Sequence, residues 1–524
     1  MAKLGQDLSP DPSPKRGGGR KRRRERDTAE TPVRVADYRV LRNTLPRAAA
    51  FSADQVAELH ETSLRVLEEL GLRVLLPEAR ALFAQAGSKV DEDNQFVWIG
   101  REVVAEALRT APPAFTFRPR GMGRVLPIDA DSLIFGAGAG CPNITDLDRG
   151  RRPGRMSDFI ETTKLHQSFD IIPLLAPSIE AQDVPVSVRH LDVAEAQLTL
   201  SDKTPWVYAR GKGQVEDSFA LIRIAQGLSR EAFEAAPRCY TVINTNSPRQ
   251  LDVPMSQGII DFARANQPSV ITPFCLAGAM APITVAGALT LSHAEALAGI
   301  ALCQLARPGA PVVYGAFSSN VDMKSGAPVF GTPEHIKANF GAGQLARHVG
   351  LPWRSAAGTA ANSADVQGAY ETQLALWGCL LAGANMILHS AGWLEGGLTF
   401  SMEKFITDLE VCQTVAECMI PVAAGADEIG FDAIAEVAPG GHFFAAAQTM
   451  ARYQTEFYAP FVSDWQNFGQ WSETGARSAT ERANAIWKRR IAEHVPPPME
   501  PGRAEEMAAF IARRKAEGGS PPVD

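Results

Sequence analysis

Cysteine is scarce: seven residues are scattered over a chain of 524, an odd number with no C-x-x-C pair and no Cys/His cluster at finger spacing. That usage excludes a disulfide framework and a structural zinc, and it fits a reducing, cytoplasmic setting. Long apolar runs are missing too. The longest candidate, Ile283 to Leu305, is interrupted by Ser292, His293, Glu295 and Gln304, so no membrane span is expected. A secretory leader is not expected either, because the early basic residues are followed by Asp27 to Asp37, which supplies no apolar stretch.

What is present is a chain 45% hydrophobic with a net charge of -7, enough to bury a large core. The start is sharply basic, with Lys15, Arg16 and Arg20 to Arg24 set around three glycines, and residues 1–45 are expected to be a disordered, solvated tail. Residues 46–130 read as a mixed α/β module. Ser52 can cap a helix from Phe51 to Leu70 that stops at Gly71, and a second helix runs from Pro77 to Ala86. Phe96 to Ile99 and Phe115 to Phe117 suggest strands, with a helix from Arg101 to Arg109 between them.

From about Ser132 short apolar runs alternate with helical patterns. The runs are Leu133 to Gly136, Ile171 to Ala176, Trp206 to Ala209, Cys239 to Asn244, Ser269 to Phe274, Pro311 to Ala316, Trp353 to Ala357 and Asn385 to His389. The helices between them carry proper punctuation: Thr332 can cap, Pro333 occupies the first turn, and Gly350 with Pro352 ends the element. Eight such units predict an α/β fold of the (β/α)8 TIM-barrel type over residues 131–420, with the first module as a cap. A helical extension over 421–500, including a helix from Phe443 to Phe457, and a terminal helix and tail over 501–524 complete the expected organisation. A doubly wound open sheet is the structural alternative. Phe135-Gly-Ala-Gly-Ala-Gly140 only partly resembles its phosphate-binding turn, and its small residues more simply let backbone approach a ligand or turn tightly.

Barrel enzymes work at the C-terminal ends of their strands, where this chain places mostly neutral and aromatic groups. Tyr208, Asn244, Phe274, Tyr314, Phe317, Asn320 and Trp393 are the expected substrate-binding residues, and His389 and Glu395 the expected catalytic ones. The set has no clustered carboxylates for magnesium, no lysine placed for a Schiff base and no Cys/His group for zinc, so no metal site is expected. Aromatic faces with a carboxylate suit a quaternary ammonium, which cannot donate hydrogen bonds. On that reading Tyr314, Phe317, Trp393 and Phe274 face the cation, Glu395 supplies the counter-charge, and His389 binds a substrate carboxylate or faces the second reactant. No recognition helix or basic stripe with interleaved aromatics points to nucleic acid.

Pro311-Val-Val-Tyr-Gly-Ala-Phe-Ser-Ser-Asn-Val-Asp-Met-Lys-Ser-Gly326, Phe330-Gly-Thr-Pro-Glu334, Gly440-Gly-His-Phe443, Arg189-His-Leu-Asp192 and Ser201-Asp-Lys203 together resemble the trimethylamine methyltransferase family, from about Phe51 to Pro498. The resemblance implies a (β/α)8 barrel that moves a methyl group from a methylated amine to the cobalt(I) of a corrinoid. This chain reads through with the ordinary twenty residues. It therefore resembles the branch without pyrrolysine, whose substrates are quaternary amines such as glycine betaine. No D-x-H-x-x-G of the corrinoid-binding kind occurs, so the corrinoid (cobalamin) is expected on a partner protein and no cofactor is expected to be held tightly by this chain. Transfer to another acceptor such as tetrahydrofolate, and a catalytically silent binder of quaternary amines, stand as alternatives. The aromatic segment from Phe457 to Trp471 is either a homo-oligomer interface or packing across the barrel bottom.

Overall fold

The computed structural model describes residues 37–523, so most of the predicted basic tail lies outside the described residues. The described part of that tail corrects the expected boundary at 45. Leu41–Arg42 pairs antiparallel with Ser132 and Leu133, and Asn43 is buried with its amide donating to the Leu380 carbonyl. A buried, satisfied asparagine anchors the segment.

Residues 37–428 together with 460–523 form one compact unit, and 429–459 form another. The main sheet of the large unit runs, from one edge, Leu41–Arg42, Ser132–Ala137, Met386–Ala391, Trp353–Ala356, Val312–Gly315, Ser269–Ile271 and Thr241–Ile243. Every pairing after the first is parallel. Parallel neighbours need crossovers, and helices Val253–Arg264, Val285–Ala306, Pro333–His348 and Val366–Ala382 supply them. Thr332 and Asp365 cap the last two through their side chains.

Two of the eight expected runs are not full strands. The run from Ile171 to Ala176 touches its neighbour by one parallel bridge, Leu174 to Thr204, and the run from Trp206 to Ala209 by another, Trp206 to Tyr240. Pro173, Pro177 and Pro205 explain the interruption, because each removes a backbone donor from a would-be ladder. A third parallel bridge joins Cys141 to Ile179.

The helix Val285–Ala306 is long and apolar enough to cross a membrane by length and composition, but 72% of its most apolar window is buried inside the protein. It packs against helices Ala53–Arg65, Arg101–Thr110, Val253–Arg264 and Pro333–His348. The N-terminal module is therefore knitted into the large unit, and Gln250–Leu251 also adds a parallel strand to its sheet beside Leu72–Val74. As predicted, Ser52 caps the first helix, with Gln55 completing a reciprocal capping box. The helix Pro501–Ala516 packs on Val186–Leu200 and Lys212–Gln226, and the residues after it are held rather than loose: Ser520 is buried, and its hydroxyl meets Asp217 and Arg514.

In the smaller unit the single helix expected from Phe443 to Phe457 is instead a 3-10 turn, Phe443–Ala445, and a short helix, Ala447–Arg452. Ala446 is extended between them and breaks the helical hydrogen-bond ladder. Phe431, Phe444 and Phe457 are exposed. Back in the large unit, Trp465 and Phe468 are exposed as well, so neither packs as a core residue.

Candidate active site

A cavity of about 400 Å³ opens among the C-terminal ends of the parallel strands. Of the nine residues expected at the site, six line it: Tyr208, Asn244, Phe274, Phe317, His389 and Trp393. The other three sit elsewhere. Tyr314 is buried at 1% exposure, with its hydroxyl 2.9 Å from His293 Nδ1, so it points into the helical layer and not into the cavity. Strand alternation explains the miss, since a residue one step out of phase faces the other side. Asn320 accepts a hydrogen bond from the Thr332 hydroxyl at 3.1 Å and helps fix the start of the following helix. Glu395 is gripped by Arg151, with Nε 2.9 Å from Oε1 and Nη2 2.9 Å from Oε2. Its carboxylate is neutralised at the rim, while its neighbours Gly396 and Gly397 line the cavity.

The strand that the sequence marks most clearly, Met386–Ala391, reaches the cavity through a register shift between Ile387 and Ala391. His389 sits in that bulge at φ 57°, a conformation rare outside glycine, and so turns toward the cavity. Its ring stacks on Trp393, centroids 4.6 Å apart and 17° between planes. Arg354 Nη2 lies 3.2 Å from its Nε2 and the Ala139 amide 3.3 Å from its Nδ1, so both ring nitrogens face donors. Burial, and then the Arg354 charge, hold its pKa well below the ordinary histidine value. The neutral imidazole is therefore the favoured form at physiological pH.

Trp393 is seated by glycines. A Cβ on Gly358 would lie 2.3 Å from the indole, and one on Gly397 would lie 2.5 Å from it. The glycine run after Phe135 serves the same neighbour, because a Cβ on Gly138 would come within 3.2 Å of Trp393 Cβ. Gly358→Ala is expected to displace the indole and cost about 1 to 3 kcal/mol by overpacking, read as a lower denaturant midpoint at unchanged m-value. An unchanged midpoint would mean that the indole has room to move.

Residues outside the expected set complete the walls. Trp206 and Tyr208 meet edge to face, centroids 4.4 Å apart at 79°, as their i, i+2 spacing on an extended run allows. Glu180 lines the same wall, accepting from the Tyr208 hydroxyl at 3.4 Å and pairing with Arg189 at 3.1 Å. Arg189 belongs to the Arg189-His-Leu-Asp192 motif, and its neighbour His190 pairs with Asp217 at 2.9 Å. The Ser201-Asp-Lys203 motif is structural: Lys203 Nζ donates to the carbonyls of His166, Phe169 and Ile172. Across the cavity stands Arg354, 2% exposed, with its guanidinium 5.4 Å from the Phe317 ring centre. An arginine inside the apolar run from Trp353 to Ala357 was the available signal for it, because a charge in a buried strand needs a purpose. Among the described residues no group of three His, Cys, Asp or Glu side chains is placed to hold a metal ion.

The family model for trimethylamine methyltransferase (MTTB) matches residues 16–519. Glycine betaine methyltransferase of Desulfitobacterium hafniense (strain Y51) is 34% identical over 477 residues, covering 91% of this chain and 99% of that protein. Trimethylamine methyltransferase MttB2 of Methanosarcina mazei is 28% identical over 480 residues, covering 88% and 94%. Among solved structures, the monomethylamine methyltransferase of Methanosarcina barkeri aligns with a TM-score of 0.44 at 10% identity, covering 87% of this chain and 97% of that one. With a family match spanning nearly its whole length, this chain belongs to the trimethylamine methyltransferase family.

Proposed function

We propose that this protein takes a methyl group from a methylated amine and passes it to the cobalt(I) of a corrinoid carried on a separate protein. The observation that carries this reading is the corner formed by Trp206, Tyr208 and Glu180, two aromatic rings and a carboxylate on one wall of the cavity. A quaternary ammonium is held there by the ring quadrupoles and the counter-charge without hydrogen bonds. Glu180 takes the role first assigned to Glu395 because, although each carboxylate has an arginine partner, Glu180 lines the cavity and Glu395 does not. The substrates in the names of the two relatives, glycine betaine and trimethylamine, are methylated amines of this kind.

The cavity lies in a (β/α)8 barrel on this reading. Support comes from the unbroken succession of parallel neighbours from Leu174 round to Ala137, and from the Cys141 to Ile179 bridge that brings the two ends of that succession together.

A quaternary ammonium already departs as a neutral tertiary amine, so the carbon needs no proton delivered by the protein. The docked corrinoid supplies the nucleophilic metal that accepts the methyl. What the chain contributes is positioning: Glu180, Trp206 and Tyr208 fix the cation, while His389 and Trp393 form a flat, uncharged wall beside it. The test is anaerobic, with full-length protein, free cob(I)alamin and a panel of quaternary and tertiary methylamines, following the visible spectrum for methylcobalamin. Conversion with a quaternary amine is the expected result. Calorimetric binding without conversion, with free cob(I)alamin and with a corrinoid protein, would reduce the chain to a binder.

A further inference from the structure

The geometry points to a second ligand site in this chain, a cationic cavity that takes the phosphate group of a small organic phosphate on Arg120 and Arg238. The site is independent of the amine-binding cavity.

The second cavity holds about 380 Å³, an ordinary size for a small-molecule site. Three stretches far apart in sequence wall it: the turn after the strand Phe115–Phe117, the segment between the helix Lys212–Gln226 and the strand Thr241–Ile243, and the start of the helix Pro501–Ala516. Arg238 stands ahead of the strand Thr241–Ile243, and Asn244, just past its other end, lines the cavity described above. The two cavities therefore lie at opposite ends of that strand.

Arg120 and Arg238 sit there without a counter-ion. Arg120 donates to the carbonyls of Pro498 and Ser201, and Arg238 to the Arg118 carbonyl at 2.9 Å and the Gln226 amide oxygen at 3.3 Å. Asp202, whose charge reaches Arg120, is held by Arg124 and Gln167, and Glu500, on the cavity wall, pairs with Arg503 at 3.6 Å. Three donors on residues lining this one space are buried without a hydrogen-bond partner among the described residues: Arg120 Nε, Arg238 Nε and Gln226 Nε2. Burial holds both guanidiniums below the ordinary arginine pKa, and Arg118 adds like charge beside Arg238. Desolvated charge and idle donors are costly unless a ligand satisfies them. The end of the helix Lys212–Gln226 does not account for the pair. Its last turn is closed from within, the Leu228 amide donating to the Arg223 carbonyl at 2.9 Å, and neither arginine donates to a carbonyl of that helix.

A phosphate group suits this pair better than a carboxylate does. Two guanidiniums from separate segments are offset by a dianion, and a tetrahedral group can present oxygens to both forks. A bare phosphate would leave much of the cavity empty. Met122, 93% exposed, lines it together with Leu228 and Met499, an apolar rim for the organic body of the ligand.

Calorimetry on the full-length protein at fixed ionic strength tests this with phenyl phosphate, benzoate and inorganic phosphate. Phenyl phosphate is expected to bind at least ~10-fold tighter than benzoate, which has the same ring and a single charge, and tighter than inorganic phosphate, which has no ring. Arg238→Gln is expected to lower phenyl phosphate affinity at least ~10-fold while tetramethylammonium binds as it does to the wild type, which places the loss at this cavity and shows that the variant is folded. Should that variant fail to fold, Arg120→Lys, which keeps the charge and loses the fork, is expected to lower the affinity at least ~3-fold. No binding of phenyl phosphate, equal binding of benzoate, or undiminished phenyl phosphate affinity in the folded variant would overturn the inference and leave the amine-binding reading intact.

Discussion

Glu180→Gln is expected to weaken binding of a quaternary ammonium by about 2 kcal/mol or more, roughly 30-fold, because it removes the counter-charge from a largely desolvated contact. The loss has a second source. Arg189 is paired with Glu180 at 3.1 Å, and once the carboxylate is gone its positive charge stands next to the cation seat unopposed. Arg189 stays in place, since it also donates to the Val184 carbonyl at 2.9 Å, so the repulsion does not relax away. Titration calorimetry with tetramethylammonium isolates the effect, because that ligand carries the cation and no other polar group. The companion variant Glu395→Gln is expected to leave affinity near that of the wild type, as its carboxylate is held by Arg151 at the rim. Were the order reversed, the counter-charge would belong to Glu395.

Acid should unfold this protein earlier than its carboxylates would. His166, His293 and His335 are fully buried: the first meets the Ser178 hydroxyl, the second lies between His60 and Tyr314, and the third accepts from the Gly331 amide. Burial pushes the pKa of His166 down to about 3 and that of His335 to about 4, and holds His293 well below the ordinary 6.5. In the unfolded chain each takes its proton near 6.5. Between that value and the folded ones the unfolded state binds more protons, so stability is full above pH 6.5 and declines as the pH falls below it. Each such histidine contributes a slope of about 1.4 kcal/mol per pH unit, so three together approach about 4. Urea midpoints measured from pH 7.5 down to 4.5 should be level above 6.5 and drop steeply below it. His335→Asn should flatten the lower limb by one histidine's share, about 1.4 kcal/mol per pH unit. A midpoint that holds constant down to pH 4.5 would show that these imidazoles protonate in the folded state.

Much of the architecture was written plainly in the chain. Gly, Pro and capping residues mark the helices, and the alternation of apolar runs with helical patterns predicts parallel pairing, which six of the eight runs make as full strands. The two that do not are the proline-bearing ones, where composition looks strand-like but donors are missing. The site was legible as a region more than as a residue set. His389, Trp393, Phe317, Phe274, Tyr208 and Asn244 could be placed at the cavity because each follows or ends an apolar run. Tyr314 could not be excluded from it, since side-chain phase within a short buried strand leaves no trace in an all-apolar pattern, and Asn320 follows such a run just as the cavity residue Phe317 does. Glu395 failed for a different reason. Its partner Arg151 is far away in sequence, and nothing local announces a pairing across that distance. Arg354 went unremarked because a lone charge within an apolar run is easily taken for an edge position, whereas its strand is central and its side chain buried.

The glycines around Trp393 bear on how this pocket can diversify among relatives. Gly358 and Gly397 leave no space for a methyl group and Gly138 leaves little, so the indole and the histidine stacked on it form a face that single substitutions there cannot reshape without unseating it. The opposite wall is built differently. Asn244 is exposed, Phe274 is half-buried, and the Trp206 to Ala209 run touches its neighbour by a single bridge, so side chains there can be exchanged one at a time. New substrate preferences within this lineage should therefore be acquired by turnover at Asn244 and Phe274, while Trp393 and its glycine cradle pass unchanged from one specificity to the next.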